Sequence, residues 1–199
     1  HRAKSASRTR EVMKAGNPGH TGEENYNFFL SVLFPDDELK ILAYNRLVLQ
    51  TPYSPKELRK LLHDAFGLSP CDYAVPREKG EVCVYFDKTW QSFRFSKEQL
   101  AGKDMVESLD VQLLGDLLLS PSFGINDPRT SSNIAFVGGV RGTKELEDAV
   151  DCGKAAVAFS MHPVTINDLL SIADAGRLMP PKSTWFEPKL LSGLLVHRF

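Results

Sequence analysis

Glu81-Val82-Cys83-Val84-Tyr85-Phe86-Asp87-Lys88-Thr89-Trp90-Gln91-Ser92-Phe93-Arg94-Phe95 is the stretch on which the reading of the fold turns. Two runs rich in β-branched and aromatic residues, 81–86 and 90–95, flank the polar Asp87-Lys88-Thr89, which is the composition of a β-hairpin. Ser96 and Gln99 follow as a capping box, so strand gives way at once to helix. Upstream, Ser54-Pro55-Lys56-Glu57 is a second capping box with proline at the first helical position. Leu58, Leu61, Leu62, Ala65 and Phe66 then recur at helical spacing until Gly67. Residues 26–34 and 39–49 are rich in Phe, Leu, Val and Tyr around the turn Pro35-Asp36-Asp37-Glu38, which predicts a further antiparallel pair. Hairpin, helix, hairpin, helix is an α+β order.

The last third alternates differently. A leucine-rich helix over 109–119 is expected to close before Pro121, and 123–132 reads as loop. Residues 134–137, a helix near 144–150 and residues 155–161 form a β-α-β alternation with parallel pairing as its natural outcome. Thr165 and Asp168 cap a helix carrying Ile166, Leu169, Leu170 and Ala173, ended by Gly176. Leu194-Leu195-Val196 reads as a short buried C-terminal strand. At the other end, residues 2–15 read as a helix that stops at Gly16. The expected class is α+β: antiparallel hairpins packed with helices, then a β-α-β-α segment and a short final strand. The length fits one domain or two closely packed lobes, the latter divided as 1–105 and 106–199.

Composition excludes several classes of function. The 199 residues, 42% of them hydrophobic, suffice for a real core. Lysine and arginine number 24 against 25 acids, so no global field draws the chain to nucleic acid or an anionic membrane. Cys71, Cys83 and Cys152 lack the paired short spacing of zinc or redox centres and read as reduced thiols of a cytoplasmic protein. No apolar run approaches the roughly 20 residues of a membrane span. His20, His63, His162 and His197 are scattered, without metal-ligand spacing, and no nucleophile elbow is present. His1 is not an initiator methionine, and the basic stretch that follows begins abruptly, so further sequence is expected before it.

Three segments are candidates for chemistry. In Met179-Pro180-Pro181-Lys182-Ser183-Thr184-Trp185-Phe186-Glu187-Pro188-Lys189, two prolines stiffen the backbone before a cation and two hydroxyls. Lys182, Ser183, Thr184 and the adjacent N–H groups are all donors and can converge on one phosphate or carboxylate. The alternative is a connector whose Trp185 and Phe186 plug the core while Lys182 stays solvated. Arg46 sits inside a strand pattern, where it can meet a substrate oxyanion or bridge to Asp36, Asp37 or Glu38. Gly138-Gly139-Val140-Arg141-Gly142 lacks a complete dinucleotide fingerprint and reads as a tight turn.

The 179–189 segment followed by Ser192-Gly193-Leu194 resembles the terminal signature of bacterial proteins known as the domain of unknown function 1015 family. Ser108-Leu109-Asp110-Val111, the Val150-Asp151-Cys152-Gly153 turn and the helix over 163–176 are similar to that family's segments. So is the strand over 40–48, although members carry histidine where Asn45 stands. The resemblance runs over essentially the whole chain and implies its C-terminal half. In the family an Asp-Gly-His-His-Arg signature precedes a helix, and His1-Arg2 resemble its last two residues; the signature is similar to one of the ParB-like superfamily. What this implies is a nucleotide, carried with magnesium, or a phosphorylated small metabolite bound by His1, Arg2, Arg46, Lys182, Ser183, Thr184 and Lys189. It also implies a phosphotransferase only when joined to an N-terminal half. The competing reading is a regulatory, partition-like module that sets the basic first helix on nucleic acid.

Overall fold

The computed structural model of the chain describes residues 2–191 and 193–198. They fall into two compact units, one formed by Lys40–Glu187 and one by His1–Leu39 with Pro188–Phe199. The boundary expected near residue 105 therefore lies inside the larger unit. None of the described helices is long and apolar enough to cross a membrane.

In the unit built from the chain ends, α1 (Arg2–Ala15) occupies the expected residues and stops at Gly16, whose N–H donates to the Val12 carbonyl. Glu24 then organises the loop, accepting from the N–H and hydroxyl of Thr21, the N–H of Gly22 and the amide of Asn27. These bonds, led by that from the Thr21 backbone, hold its carboxyl down to about 2. The hairpin expected of residues 26–34 and 39–49 does not form. The first run is irregular between 3-10 turns at Asn25–Asn27 and Asp36–Glu38, and the second pairs with strands far along the sequence. Aromatic and β-branched composition marks residues suited to a pleated surface without saying which partner supplies it. Leu194, Leu195 and Val196 form no strand and stay exposed.

The larger unit contains β1 (Lys40–Leu42), β2 (Tyr44–Val48), α2 (Pro55–Phe66), β3 (Ser69–Pro70), β4 (Glu81–Phe86), β5 (Thr89–Arg94) and α3 (Lys97–Leu100). It continues through α4 (Asp110–Leu114), a π turn at Gly115–Leu119, α5 (Ser120–Phe123), β6 (Ile134–Gly138), α6 (Lys144–Asp151), β7 (Val157–Met161), α7 (Ile166–Asp174) and β8 (Trp185–Glu187). Six strands form one sheet in the order β3-β5-β4-β7-β2-β6, antiparallel throughout, while β1 pairs with β8 in a separate ribbon. The expected parallel contact between β6 and β7 is absent because β2 is inserted between them, bonded to both. The two strands still run the same way, as a β-α-β unit demands, with an antiparallel strand splitting it.

Burial follows from that order. Every residue of the central strands β4 and β7 is buried, whereas β5, nearer the edge, alternates. On one face Val48, Val82, Val84, Phe93 and Phe159 meet Leu58 and Leu62 of α2 and the leucines of the 110–123 helix. On the other, Leu47, Tyr85, Val137 and Ala158 meet Leu146 of α6. All three predicted capping boxes are present, at Ser54, Ser96 and Thr165.

The leucine-rich helix runs past Pro121 to Phe123 and ends on Gly124 at φ 67°, rather than closing before the proline. Proline lacks the N–H and crowds the carbonyl four residues back; the wider π turn immediately ahead of it rearranges the hydrogen bonds there.

The β4–β5 hairpin is as predicted but tighter. Phe86 faces Thr89, so only Asp87 and Lys88 form the loop, with φ 51° and 58°. Two consecutive left-handed residues match the twist of the flanking strands, and neither is glycine. Lys88→Gly is therefore expected to raise unfolding stability by roughly 1 kcal/mol in thermal or denaturant melts. A fall in stability would contradict this turn.

Candidate functional site

Arg46 lies in β2 opposite Phe136 of β6 and Phe159 of β7, on the face covered by the helices. Alternation with Tyr44 and Val48 sends its side chain inward, and it is 3% exposed. Its guanidinium donates to the carbonyls of Tyr44 and of Lys182, the latter at 3.1 Å, and lies 5.7 Å from the ring of Phe136. Among the described residues of this unit it has no ion pair with a carboxylate. Burial pushes its pKa down to about 10, which leaves it charged at neutral pH.

The carbonyl of Lys182 is delivered by the proline segment. Lys182 stands at φ 55°, and the Ser183 hydroxyl donates to the Pro180 carbonyl at 2.6 Å, closing a tight turn. Ser183 is buried and its hydroxyl hydrogen is spent on that bond, so it is a turn device rather than a free donor. The ammonium of Lys182 lies 5.3 Å from the ring of Tyr44, and Thr184 is half-buried beside it. Trp185 anchors the end of the segment. Its ring lies 5.4 Å from that of Tyr44, and a Cβ on Gly138 would fall 2.3 Å from its Cε3. Gly139 is equally constrained, since a Cβ there would meet the Ala43 carbonyl at 2.9 Å. The glycine pair thus serves close packing, in keeping with its reading as a turn.

Arg46, Phe136, Pro180 and Pro181 line one side of a cavity of 530 Å³. The other side is the 110–123 helix at its π turn, with Gly115, Asp116 and Ser120, followed by the loop holding Asp127 and Arg129. Asp116 accepts from the Gln112 amide at 2.8 Å. Asp127 accepts from the backbone and guanidinium of Arg129, whose side chain holds its carboxyl down to about 2. Ser120 donates to Asn126 at 2.6 Å. The cavity therefore combines one buried cation, apolar walls and a rim of carboxylates and amides.

Of the residues singled out in the sequence, Arg46 and the backbone of Lys182 come together here, with Ser183 fixing the turn. His1 lies outside the described residues; Arg2 begins α1, and Lys189 follows β8, both in the unit of the chain ends. Asp116, Asp127 and Arg129 join the site without having stood out as site residues in the sequence. The Gly115-Asp116 break in the leucine run and the Asn126-Asp127-Pro128-Arg129 cluster are visible there, but only as irregularity and loop. Asn45 has a structural role, since its side-chain oxygen accepts from the Met161 N–H at 3.0 Å, where the β2–β7 ladder ends. No group of three or more His, Cys, Asp or Glu among the described residues could hold a metal. Magnesium is commonly held by one or two carboxylates plus phosphate oxygens, and the two such carboxylates lining this cavity are already hydrogen-bonded to Gln112 and Arg129.

An antiparallel sheet under helices, with a buried arginine opening onto a cavity, defines an α+β protein with an anion-suited site. The family model described as "Protein of unknown function (DUF1015)" matches residues 1–112, more than half of the chain, and the chain belongs to that family. The match includes Arg46 and stops short of the 179–189 segment that first suggested the family. No curated protein matches. Among solved structures, a mutant free serine kinase in complex with AMP is similar at a TM-score of 0.45 and 10% identity, covering 75% of this chain and 55% of that one. A mutant of such a kinase with ADP gives 0.45 and 11%, covering 92% and 80%. SbnI with C-terminal truncation, from Staphylococcus aureus, gives 0.43 and 12%, covering 82% and 55%. This chain spans 55% of the length of the first of these. Likeness at such levels says nothing of this chain's ligand.

Two substitutions check the geometry. Arg46→Met keeps the volume and removes a buried charge without a counter-ion, so unfolding stability should hold within about 1 kcal/mol or rise; an arginine needed for a buried pair would cost about 3–5 kcal/mol. Gly138→Ala should destabilise by about 1–3 kcal/mol, because the indole of Trp185 already occupies the new methyl's position.

Proposed function

We propose that this chain binds a phosphorylated small molecule, a nucleotide or a phosphorylated metabolite, in the cavity beside Arg46. The observation that carries the reading is a buried guanidinium whose hydrogen bonds go to two carbonyls, facing a cavity of 530 Å³. A guanidinium has five N–H donors, so a phosphate can take two parallel bonds from those left over. Removing a charge from water without a counter-charge costs several kcal/mol, and an oxyanion ligand offsets that cost. Pro180 and Pro181 stiffen the wall, so little conformational freedom is lost on binding. Lys182 follows Pro181 of that wall and holds its ammonium over the Tyr44 ring.

The finer reading is a ParB-like or serine-kinase-like phosphotransferase in the longer protein. It draws on the resemblance of His1-Arg2 to a phosphate-binding signature at a helix start. Phosphoryl transfer depends mainly on positioning and charge neutralisation, which Arg46 and Lys182 would supply, with Asp116, one of the two carboxylates lining the cavity, orienting a hydroxyl. The nucleic-acid reading has less behind it, since 24 cations against 25 acids give no net attraction to phosphate chains.

Calorimetric titration with ATP, ADP and phosphoserine tests the proposal. Heat from one saturable site is expected with at least one of them, weakened about tenfold or more in Arg46→Met, a loss of about 1.4 kcal/mol. Silence with all three, or equal affinity in the variant, would remove it.

A further inference from the structure

In the unit of the chain ends, the run Phe28-Phe29-Leu30-Ser31-Val32-Leu33-Phe34 is the segment whose expected partner strand pairs elsewhere. From Phe28 to Pro35 the backbone makes no turn or bend, and every φ is negative. Among the described residues no backbone N–H from Phe29 to Phe34 donates to a backbone carbonyl, and none of their carbonyls accepts from a backbone N–H. All seven residues are exposed, Leu33 at 92%. A strand with one wet face alternates apolar and polar side chains, whereas here six of the seven are apolar and both faces are covered with them. No charge interrupts the run and no proline before Pro35, the devices that keep an open strand from pairing with another chain.

The pattern of the run says what kind of strand fits it. It is bounded by the 3-10 turn at Asn25–Asn27 and by Pro35, which has no N–H to give a ladder, so its centre is Ser31. A two-fold axis at Ser31 sets Phe28 against Phe34, Phe29 against Leu33 and Leu30 against Val32 of a second, antiparallel copy. Every apolar side chain then opposes an apolar one, and the single polar residue opposes itself, hydroxyl to hydroxyl. Self-complementarity of this kind is what an isologous contact requires. A two-stranded ribbon is marginal unless it packs on a helix, and α1 is at hand: Ala6 and Thr9 line a 240 Å³ cavity together with Phe28, Phe29 and Leu30.

We infer that residues 28–34 are a dimerisation strand, which pairs antiparallel with the same residues of a second copy of this chain about a two-fold axis at Ser31. With a phenylalanine side chain at about 200 Å² and leucine or valine somewhat less, the exposed fractions leave on the order of 600 Å² of apolar surface per copy. Two copies bring about 1,200 Å² together, the lower end of what a specific interface buries. The C-terminal residues add to it: His197 lines the same cavity as Phe28 to Leu30 and donates to the Asn25 carbonyl at 2.9 Å, and the neighbouring Leu194, Leu195 and Val196 are exposed as well. The dimer is independent of phosphate binding at Arg46.

Sedimentation of the 199-residue chain over a range of concentrations tests this. A monomer–dimer equilibrium is expected with a Kd of about 1–100 μM, in keeping with an interface of that size. Ser31→Lys and Ser31→Glu, changes at an exposed position that spare the fold, should each weaken the dimer about tenfold or more by setting like charges face to face, and an equimolar mixture of the two should recover it as a heterodimer. Cross-linking fixes the register, in a Cys152→Ser background that removes the exposed native thiol. Residues directly opposite lie about 4.5–5.5 Å apart at Cα, within disulfide reach, so Ser31→Cys should form a disulfide dimer under mild oxidation. Leu30→Cys and Val32→Cys should link poorly alone, each meeting its own copy on a diagonal of about 7–8 Å, and readily when mixed. A chain that stays monomeric throughout, a dimer indifferent to both charged variants, failure of their mixture to recover it, or equal cross-linking at 30, 31 and 32 alone would overturn the inference.

Discussion

The indole of Trp185 occupies the space that a side chain on residue 138 would need, and much of the Arg46 site follows from that contact. With glycine at 138, β8 can lie beside β1, and the ring can reach Tyr44. The segment immediately before it is then held against β2, where the Ser183–Pro180 turn aims the Lys182 carbonyl at Arg46. Two residues separated by more than a hundred positions thereby become one site. A larger residue at 138 would displace the ring and release the wall of the cavity, although Arg46 itself would remain in its strand.

How much of this the chain announces in advance depends on the range of the interaction. The helix over 55–66, its capping box, the β4–β5 hairpin and the cap at Thr165 are set by contacts within a few residues, and each is legible in the sequence. Strand partners are not, because composition cannot tell a neighbour three residues away from one a hundred away. Tyr44–Val48 pairs with two strands from the last third of the chain, and its insertion splits the β-α-β unit that adjacency would have left parallel. The helix through Pro121 departs from expectation because a local rule, that proline ends helices, meets a π turn that the rule does not include.

The site is half visible for the same reason. Arg46 and the proline segment stand out as residue types in unusual settings, but the expected convergence of three donors at 182–184 on one anion is too local a picture. The backbone there turns back on itself, one hydroxyl closes the turn, and what reaches the arginine is a carbonyl. Asp116 and Asp127 enter the cavity only through the tertiary docking of the 110–123 helix and its following loop, which no short window of sequence encodes.

Among the described residues of the Lys40–Glu187 unit, Arg46, Glu81 and Asp110 are the buried charges, and the contrast among them bears on what Arg46 is for. Burial works against the Glu81 carboxylate, yet the Arg77 N–H, the Tyr73 hydroxyl and the Arg94 guanidinium together keep its pKa below the usual range. Asp110 accepts only from the Gly80 N–H, and burial raises its pKa, so it has an escape: a carboxyl that cannot be solvated can take a proton and become neutral. Arg46 has neither remedy. Its partners are neutral carbonyls, and at a pKa of about 10 it cannot shed its proton near neutrality. A fold can tolerate such a charge where a cavity stands open beside it, because an anion that enters completes the electrostatics that the protein leaves unfinished. That asymmetry, rather than any count of basic residues, is what sets Arg46 apart from the two buried carboxylates.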